Sequence, residues 1–297
     1  MSSSKPYLHE FKAMASMCQV LISGCTREDA MAAAKRAEEE VRRIEQKYSR
    51  YRDDSVLSQI NQQAGLAAVS CDAETCHLLD KADLLYRHSG GLFDITSGVL
   101  RKAWHFDAPA LPDPALLQTL LQRIGWQKVE RDGDSIFLRD PGMEIDFGGF
   151  GKEYATDRAA EMLRANGVHH GYVNLGGDLR VVGPKPDGEP WSIGIRHPRR
   201  DNTMVATIPL AHGALTTSGD YERYFELDGQ RYCHILNPVT GYPVRHWQSV
   251  SVLAGNTLSA GSISTVAMLM EEKGLDFLRS SELSFLAVDQ TGTCFHD

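Results

Sequence analysis

Between residues 168 and 256 the chain passes through short segments rich in Val, Ile, Leu, Tyr and Thr, each closed by Gly, Pro or Asn: "GYVNLGGDLRVVG", "WSIGIRHP", "MVATIPLAHGALTTSG", "RYFELDGQRYCHILNP" and "SVSVLAG". Runs of this kind predict strands joined by turns. Helical patterns flank them. The clearest covers 26–51, where Thr26 can cap, acids crowd the first turns, and Ala30, Ala34, Ala37, Val41 and Ile44 share a face. Further helices are expected over "SVLSQINQQAG", 72–91, 115–125, 152–167 and, unbroken, "SAGSISTVAMLMEEKGLDFLRS". "KVERDGDSIFLRD" with its Asp-Gly turn and the closing "LSFLAVDQTGT" predict hairpins, and "MEIDFG" predicts one more strand. A block of strands between helices predicts an α+β fold. No repeat or low-complexity linker divides the chain, so residues 1–297 are expected to form a single domain with a cleft.

Bulk properties narrow the function. A net charge of −8 argues against nucleic acid, whose partners carry basic surfaces. The six cysteines form no Cys-x-x-Cys pair and no zinc pattern, and are expected to be mostly reduced. The first 25 residues lack a continuous apolar core of a signal peptide, and no run of 18 apolar residues predicts a membrane span. The expectation is a cytoplasmic protein, with export behind an already removed leader left open.

"IDFGGFGK" (145–152) has the composition of a phosphate cradle but matches neither standard motif. A P-loop would need Gly where Asp146 stands and Ser or Thr where Glu153 stands. The dinucleotide fingerprint fails at Tyr154. Its glycines at the start of a helix offer N–H groups to an anion, or simply make a tight turn. Other polar junctions read two ways as well. "GGLFDITSG" is a helix exit capped by Asp94 or a ligand contact. "VNLGGD" is a hairpin turn or a close backbone approach to a ligand, and "TTSGDYERYF" is a polar lining or a turn. "LSAGSIST" opens a helix with small and hydroxyl residues and is a further possible anion seat. In "HILNPVTGYP", His234 precedes a loop fixed by Asn-Pro and Thr-Gly, which suits a base that must be positioned before it acts.

Taken together and in order, "AMAS", "YSRYRDDSVLSQIN", "GGLFDITSGVLRKAW", "IDFGGFGKEYATDRA", "VNLGGDLRVVG", "PWSIGIRHP", "TTSGDYERYF", "RYCHILNPVTGYP" and "SAGSISTVAMLM" resemble the ApbE family of FAD:protein FMN transferases over roughly Phe11 to Glu271. The resemblance implies a single-domain, T-fold-like α+β architecture with an FAD cleft. It implies Mg²⁺-dependent cleavage of FAD, transfer of FMN as a phosphoester to a Thr or Ser of an acceptor flavoprotein, and release of AMP. Some members only hydrolyse FAD, as a pyrophosphatase. It further implies that Met14, Tyr51, Leu92, Phe93, Asp94 and Ile235 line the nucleotide, that Asp146 bonds the adenine portion and that Lys152 approaches the nucleotide. His234 is then the candidate base, and the Gly149 carbonyl and Thr265 are the metal ligands.

Two stretches depart from the family pattern. "AMAS" stands where the family usually has Met-Gly-Thr, and the metal loop, usually Ala-Asp-x-x-x-Thr, reads Ala260-Gly261-Ser262-Ile263-Ser264-Thr265. Loss of that carboxylate is expected to weaken Mg²⁺ binding, which leaves open a relative that holds FAD but has lost transfer. On the sequence alone, Gly261→Asp is expected to restore a ligand one helical turn before Thr265.

Overall fold

The structure, a computed structural model, describes residues 5–297. In chain order the first strands are β1 (Tyr7–Ala13), β2 (Ser16–Ser23), β3 (Val69–Ser70), β4 (Val129–Asp132) and β5 (Ser135–Leu138). Then come β6 (His170–Leu175), β7 (Asp178–Gly183), β8 (Trp191–Arg196), β9 (Met204–Leu210) and β10 (Ala214–Gly219). The last are β11 (Tyr224–Leu227), β12 (Gln230–Cys233), β13 (Trp247–Ala254), β14 (Phe285–Asp289) and β15 (Cys294–His296). Eight of them form one sheet in the order β1-β2-β6-β7-β10-β13-β14-β15, antiparallel throughout. The fold is α+β, as the block of strands predicts.

Three helices cover one face of this sheet: α1 (Arg27–Tyr48) over β1 and β2, α5 (Gly151–Ala165) over β6 and β7, and α6 (Thr257–Leu269) over β10 and β13. Between α1 and α5 in the chain lie α2 (Val56–Gln62), α3 (Ala73–His88), a 3-10 helix (Ile95–Lys102) and α4 (Pro114–Leu121). Thr26 caps α1 by accepting from the Asp29 amide, and the expected face of Ala30, Ala34, Ala37, Val41 and Ile44 is buried. Alanines on both sides, Ala33, Ala34 and Ala37 of α1 with Ala155, Ala159 and Ala160 of α5, let the two helices pack closely over the sheet.

The β8–β9 hairpin covers part of the opposite face, where Trp191 meets Tyr172 edge-on at 5.4 Å and donates to the Gly183 carbonyl at 2.9 Å. A second core gathers Val99, Leu100 and Trp104 with Leu120 of α4 and Phe225 and Tyr232 of the β11–β12 hairpin. Trp104 donates to the Gly241 carbonyl at 2.7 Å. This core seats the hairpin whose last residue precedes His234.

The structure differs from the sequence expectation at three places. "MEIDFG" is extended but joins no sheet, because the Asn61 side chain and the Ile95 carbonyl take the place of a neighbouring strand. Asn61 donates to the Ile145 carbonyl at 3.1 Å and accepts from its amide at 2.8 Å, and the Asp146 amide donates to the Ile95 carbonyl. The expected helix over 259–280 is broken, with α7 (Gly274–Ser280) beginning after a turn in which Glu271 has φ 51°. That turn places the Glu271 carbonyl 2.7 Å from the indole N–H of the buried Trp247. Third, the first amides of α6 are not free for an anion: Asp157 accepts from Thr257 and Leu258, both at 2.9 Å, and Asn256 accepts from Ser259 at 2.7 Å.

The β1–β2 connection is a two-residue turn, Met14-Ala15, with φ of 51° and 56°. Left-handed backbone at both positions matches the twist of a hairpin but is strained for residues with a Cβ. Ala15→Gly should raise stability by about 0.5–1 kcal/mol, the relief of strain exceeding the added freedom of the unfolded chain. A urea midpoint that stays put or falls would show that the turn holds no such strain.

Candidate functional site

Several chain segments meet at one end of the main sheet. Because β1, β2, β6 and β7 are neighbours, the Met14-Ala15 turn lies beside the Gly176-Gly177 turn of "VNLGGD". A Cβ on Gly176 would stand 2.7 Å from the Ser16 hydroxyl and 3.7 Å from the Lys152 ammonium, so glycine is needed where the two turns and the start of α5 converge. The hairpin reading of "VNLGGD" is right, and the turn also borders the cluster.

"IDFGGFGK" is the entry to α5. Asp146 accepts from the Gly148 amide at 2.9 Å and pairs with Arg50. Gly149 passes so close to Phe93 that a Cβ there would sit 2.9 Å from the ring. The helix begins at Gly151 with no side chain capping it. Lys152, in its first turn, lies 2.5 Å from Asp178 at the start of β7. Burial works against the lysine charge, but Asp178 and Glu153 hold its pKa above the ordinary value.

His234 follows β12. Its amide donates to the Arg223 carbonyl at 2.9 Å, and its Nδ1 lies 3.3 Å from the same oxygen. Burial, followed by the positive charges of Arg223, Lys152 and Arg50, pushes its pKa down to about 4. At neutral pH the ring is therefore uncharged and can accept a proton. Of these cations Arg50 is paired with Asp146 and Lys152 with Asp178.

Thr265 projects from α6 next to Ser264, and both hydroxyls meet Ser218 of β10, at 3.1 and 2.8 Å. "TTSG" thus lines the cluster, whereas the following Asp220 is buried in an ion pair with Arg199. One turn before Thr265 lies Gly261, and Glu153 of α5 fills the space over it. A Cβ on Gly261 would stand 2.5 Å from Glu153 Cγ and 2.6 Å from Oε1. The expected Gly261→Asp carboxylate would have to displace the end of the Glu153 side chain. Burial pushes the Glu153 carboxyl up to about 8, and Asp178 adds to the shift.

The remaining sequence candidates fall in different settings. Tyr51 is exposed, with the Arg50 guanidinium 5.2 Å from its ring centre. Met14 is half-buried, its amide held by Glu45. Leu92 is half-buried and lines a groove of about 630 Å³ with Asn237, Arg245 and Met270. Phe93 is buried, and Ile235 is half-buried against the main core. Asp94 has little left for a ligand, because it accepts from the Thr96 amide and hydroxyl at 2.8 and 2.6 Å and from the Trp126 amide at 3.0 Å. Its helix-capping role is the plainer of the two sequence readings.

Sequence reasoning missed Arg50, Arg223, Glu153 and Asp178. Arg50 and Arg223 sit among many surface-type charges in the sequence. Glu153 had a usable signal: an acid directly after the lysine of a glycine-rich helix entry, in a chain whose metal loop lacks one.

The Glu153 carboxyl packed over Gly261 and the Thr265 hydroxyl one turn further along α6 bring oxygen donors to one face of that helix. No group of three His, Cys, Asp or Glu residues poised for a metal occurs among the described residues. Such a donor set fits Mg²⁺, which keeps water and substrate phosphate in its shell rather than needing a full protein cage. No helix among the described residues is long and apolar enough to cross a membrane.

Comparison with known proteins gives a consistent outcome. The ApbE family pattern matches residues 14–287. A FAD:protein FMN transferase of Treponema pallidum is 34% identical over 248 residues, covering 77% of this chain and 68% of the relative. One from Vibrio cholerae is 31% identical over 262 residues, covering 86% of this chain and 78% of the relative. Among solved structures, an ApbE protein from Thermotoga maritima superposes with a TM-score of 0.91 at 31% identity, covering 99% of this chain and 97% of that one. The flavin transferase ApbE from Vibrio cholerae gives 0.89 at 25% identity, with the same coverage.

Proposed function

The chain belongs to the ApbE family, and from that premise we propose that it is a Mg²⁺-dependent FAD:protein FMN transferase in which the whole chain acts as one catalytic domain. FAD is the substrate, and a Thr or Ser hydroxyl of a partner flavoprotein is the acceptor. The hydroxyl oxygen bonds to the FMN phosphorus, the bond from that phosphorus to the AMP phosphate breaks, and AMP leaves with the electron pair. His234 takes the hydroxyl proton. Arg50, Lys152 and Arg223 oppose the pyrophosphate charge. Phosphoryl transfer asks for this kind of placement and neutralisation more than for covalent help. Mg²⁺, held by Thr265, the Gly149 carbonyl and the phosphates, would add Lewis-acid stabilisation of the leaving group.

What supports this reading best is the family match over residues 14–287, with the glycine turn of "VNLGGD", Ser16 and Lys152 converging at one end of the sheet. The case for a relative that only holds FAD rested on Gly261, and the carboxylate over that glycine weakens it. In this reading Asp146 contacts the adenine side, and Met14, Tyr51, Leu92, Phe93, Asp94 and Ile235 border the nucleotide.

Incubation with FAD and Mg²⁺ should release AMP, read by chromatography, through slow hydrolysis when no acceptor is present. Titration of FAD fluorescence should show saturable binding. No binding at about 100 μM FAD, where even a modest site would register, would overturn the proposal.

A further inference from the structure

We infer that Glu153 is a metal-directed carboxylate, reaching across from α5 to the site over Gly261 and completing with Thr265 a cation seat built from two helices. The inference rests on the FAD and Mg²⁺ reading above and deepens it.

The first observation is space. Glu153 Oε1 lies 2.6 Å, and Cγ 2.5 Å, from where a Cβ on Gly261 would be. Glycine at 261 makes room for the carboxylate above it, and a side chain there would displace the Glu153 carboxyl. Gly261 and Thr265 are one turn apart on α6, so the carboxylate lies over the same helical face as the Thr265 hydroxyl. The second observation is an unmet bond. Glu153 is only 7% exposed, and its Oε2 is buried without a hydrogen-bond partner. A carboxylate buried in this way is costly unless something pairs with it. The main-chain setting is meanwhile well fixed: the Glu153 carbonyl accepts from the Thr257 hydroxyl at 2.9 Å, tying α5 to the start of α6.

The competing explanation is that the neighbouring cation satisfies Glu153. Lys152 acts on Glu153 through its charge, but its ammonium pairs with Asp178, at 2.5 Å, and leaves Glu153 Oε2 without a hydrogen bond. What remains for Glu153 is a ligand that brings positive charge and accepts oxygen donors, next to a hydroxyl and at the mouth of an anion site. A divalent cation bound with a pyrophosphate has these properties.

The test uses the full chain with FAD, and Mn²⁺ as a spectroscopic probe for Mg²⁺. Free Mn²⁺ is counted by electron paramagnetic resonance, and FAD binding is read separately from its fluorescence without metal. Glu153→Gln keeps the shape and should leave metal-free FAD affinity within about threefold while weakening Mn²⁺ binding by about 10- to 100-fold. Gly261→Asp alone should not tighten Mn²⁺ binding, since two side chains compete for one space. The paired change Glu153→Gly with Gly261→Asp returns one carboxylate from the other helix and should recover Mn²⁺ affinity to within about tenfold of the wild type. This recovery also guards against reading misfolding of a single variant as loss of a ligand. Unchanged Mn²⁺ affinity in Glu153→Gln, with FAD still bound, overturns this inference and leaves the transferase reading intact. Failure of the wild type to bind FAD overturns the functional reading and this inference with it.

Discussion

His234→Asn should lower AMP release from FAD by about 10²- to 10⁴-fold, the usual contribution of a positioned base, with FAD affinity altered by less than about threefold. The asymmetry follows from the setting of the ring. His234 is uncharged in the free protein, so it adds no net attraction for the pyrophosphate; Arg50, Lys152 and Arg223 do that. Asparagine keeps a polar side chain beside the Arg223 carbonyl but cannot take a proton near neutrality. The pH profile gives a second readout. The folded-state pKa of His234 is depressed to about 4, so the base is present above that value and lost as pH falls through it. The acid limb of kcat/KM, which reports the free enzyme, should lie near pH 4. The limb of kcat should lie higher, because bound phosphates favour the imidazolium. In His234→Asn this limb should vanish. Equal losses in binding and turnover, with the limb retained, would make His234 a contact and assign the base elsewhere.

The elements legible in the sequence are those in which local pattern and burial agree. The cap and apolar face of α1, the glycine stop after α3 and the Asp-Gly hairpin of β4 and β5 all follow from short-range rules. The departures have long-range causes. Residues 143–147 look like a strand because they are apolar and extended, but Asn61 satisfies Ile145 from a different helix, and no sequence window contains both. The helix break near Glu271 exists to cover Trp247, more than twenty positions earlier. The site divides in the same way. His234 and Lys152 stand out because turn chemistry does not require them. Arg50 and Arg223 do not, since a surface arginine and a phosphate-facing one look alike until the sheet brings them together. The pair Glu153 and Gly261 is the sharpest case. Each alone looks like an oddity of its own helix, an acid in a first turn and a glycine in a helix interior. Only the packing of α5 against α6 shows that the two choices are one.

Asp220→Ala should cost about 2–3 kcal/mol of stability, the loss of charge-assisted hydrogen bonds to a buried carboxylate. Asp220 is 3% exposed at the end of β10 and accepts two hydrogen bonds from Arg199, at 2.7 and 2.6 Å, one from Gln290 at 3.1 Å and a longer one from Arg231. These donors come from the β8–β9 connection, the β14–β15 turn and β12, so one carboxylate ties two separate hairpins to the main sheet. Alanine would leave the partly exposed Arg199 guanidinium without its counter-charge. Asp220→Asn, which keeps the shape and one acceptor, should cost less, and Glu226→Ala, at the exposed end of Arg231, should cost under about 1 kcal/mol as surface pairs do. The consequence reaches the site, because Arg231 belongs to the strand that leads into His234. In Asp220→Ala below its unfolding midpoint, turnover should therefore fall while metal-free FAD binding, which depends on the start of α5, falls less. Urea unfolding of the three variants reads the energies. A midpoint for Asp220→Ala no lower than that for Glu226→Ala would mean that the buried pair only balances its own desolvation and that the hairpin is held by the aromatic core around Trp104 instead.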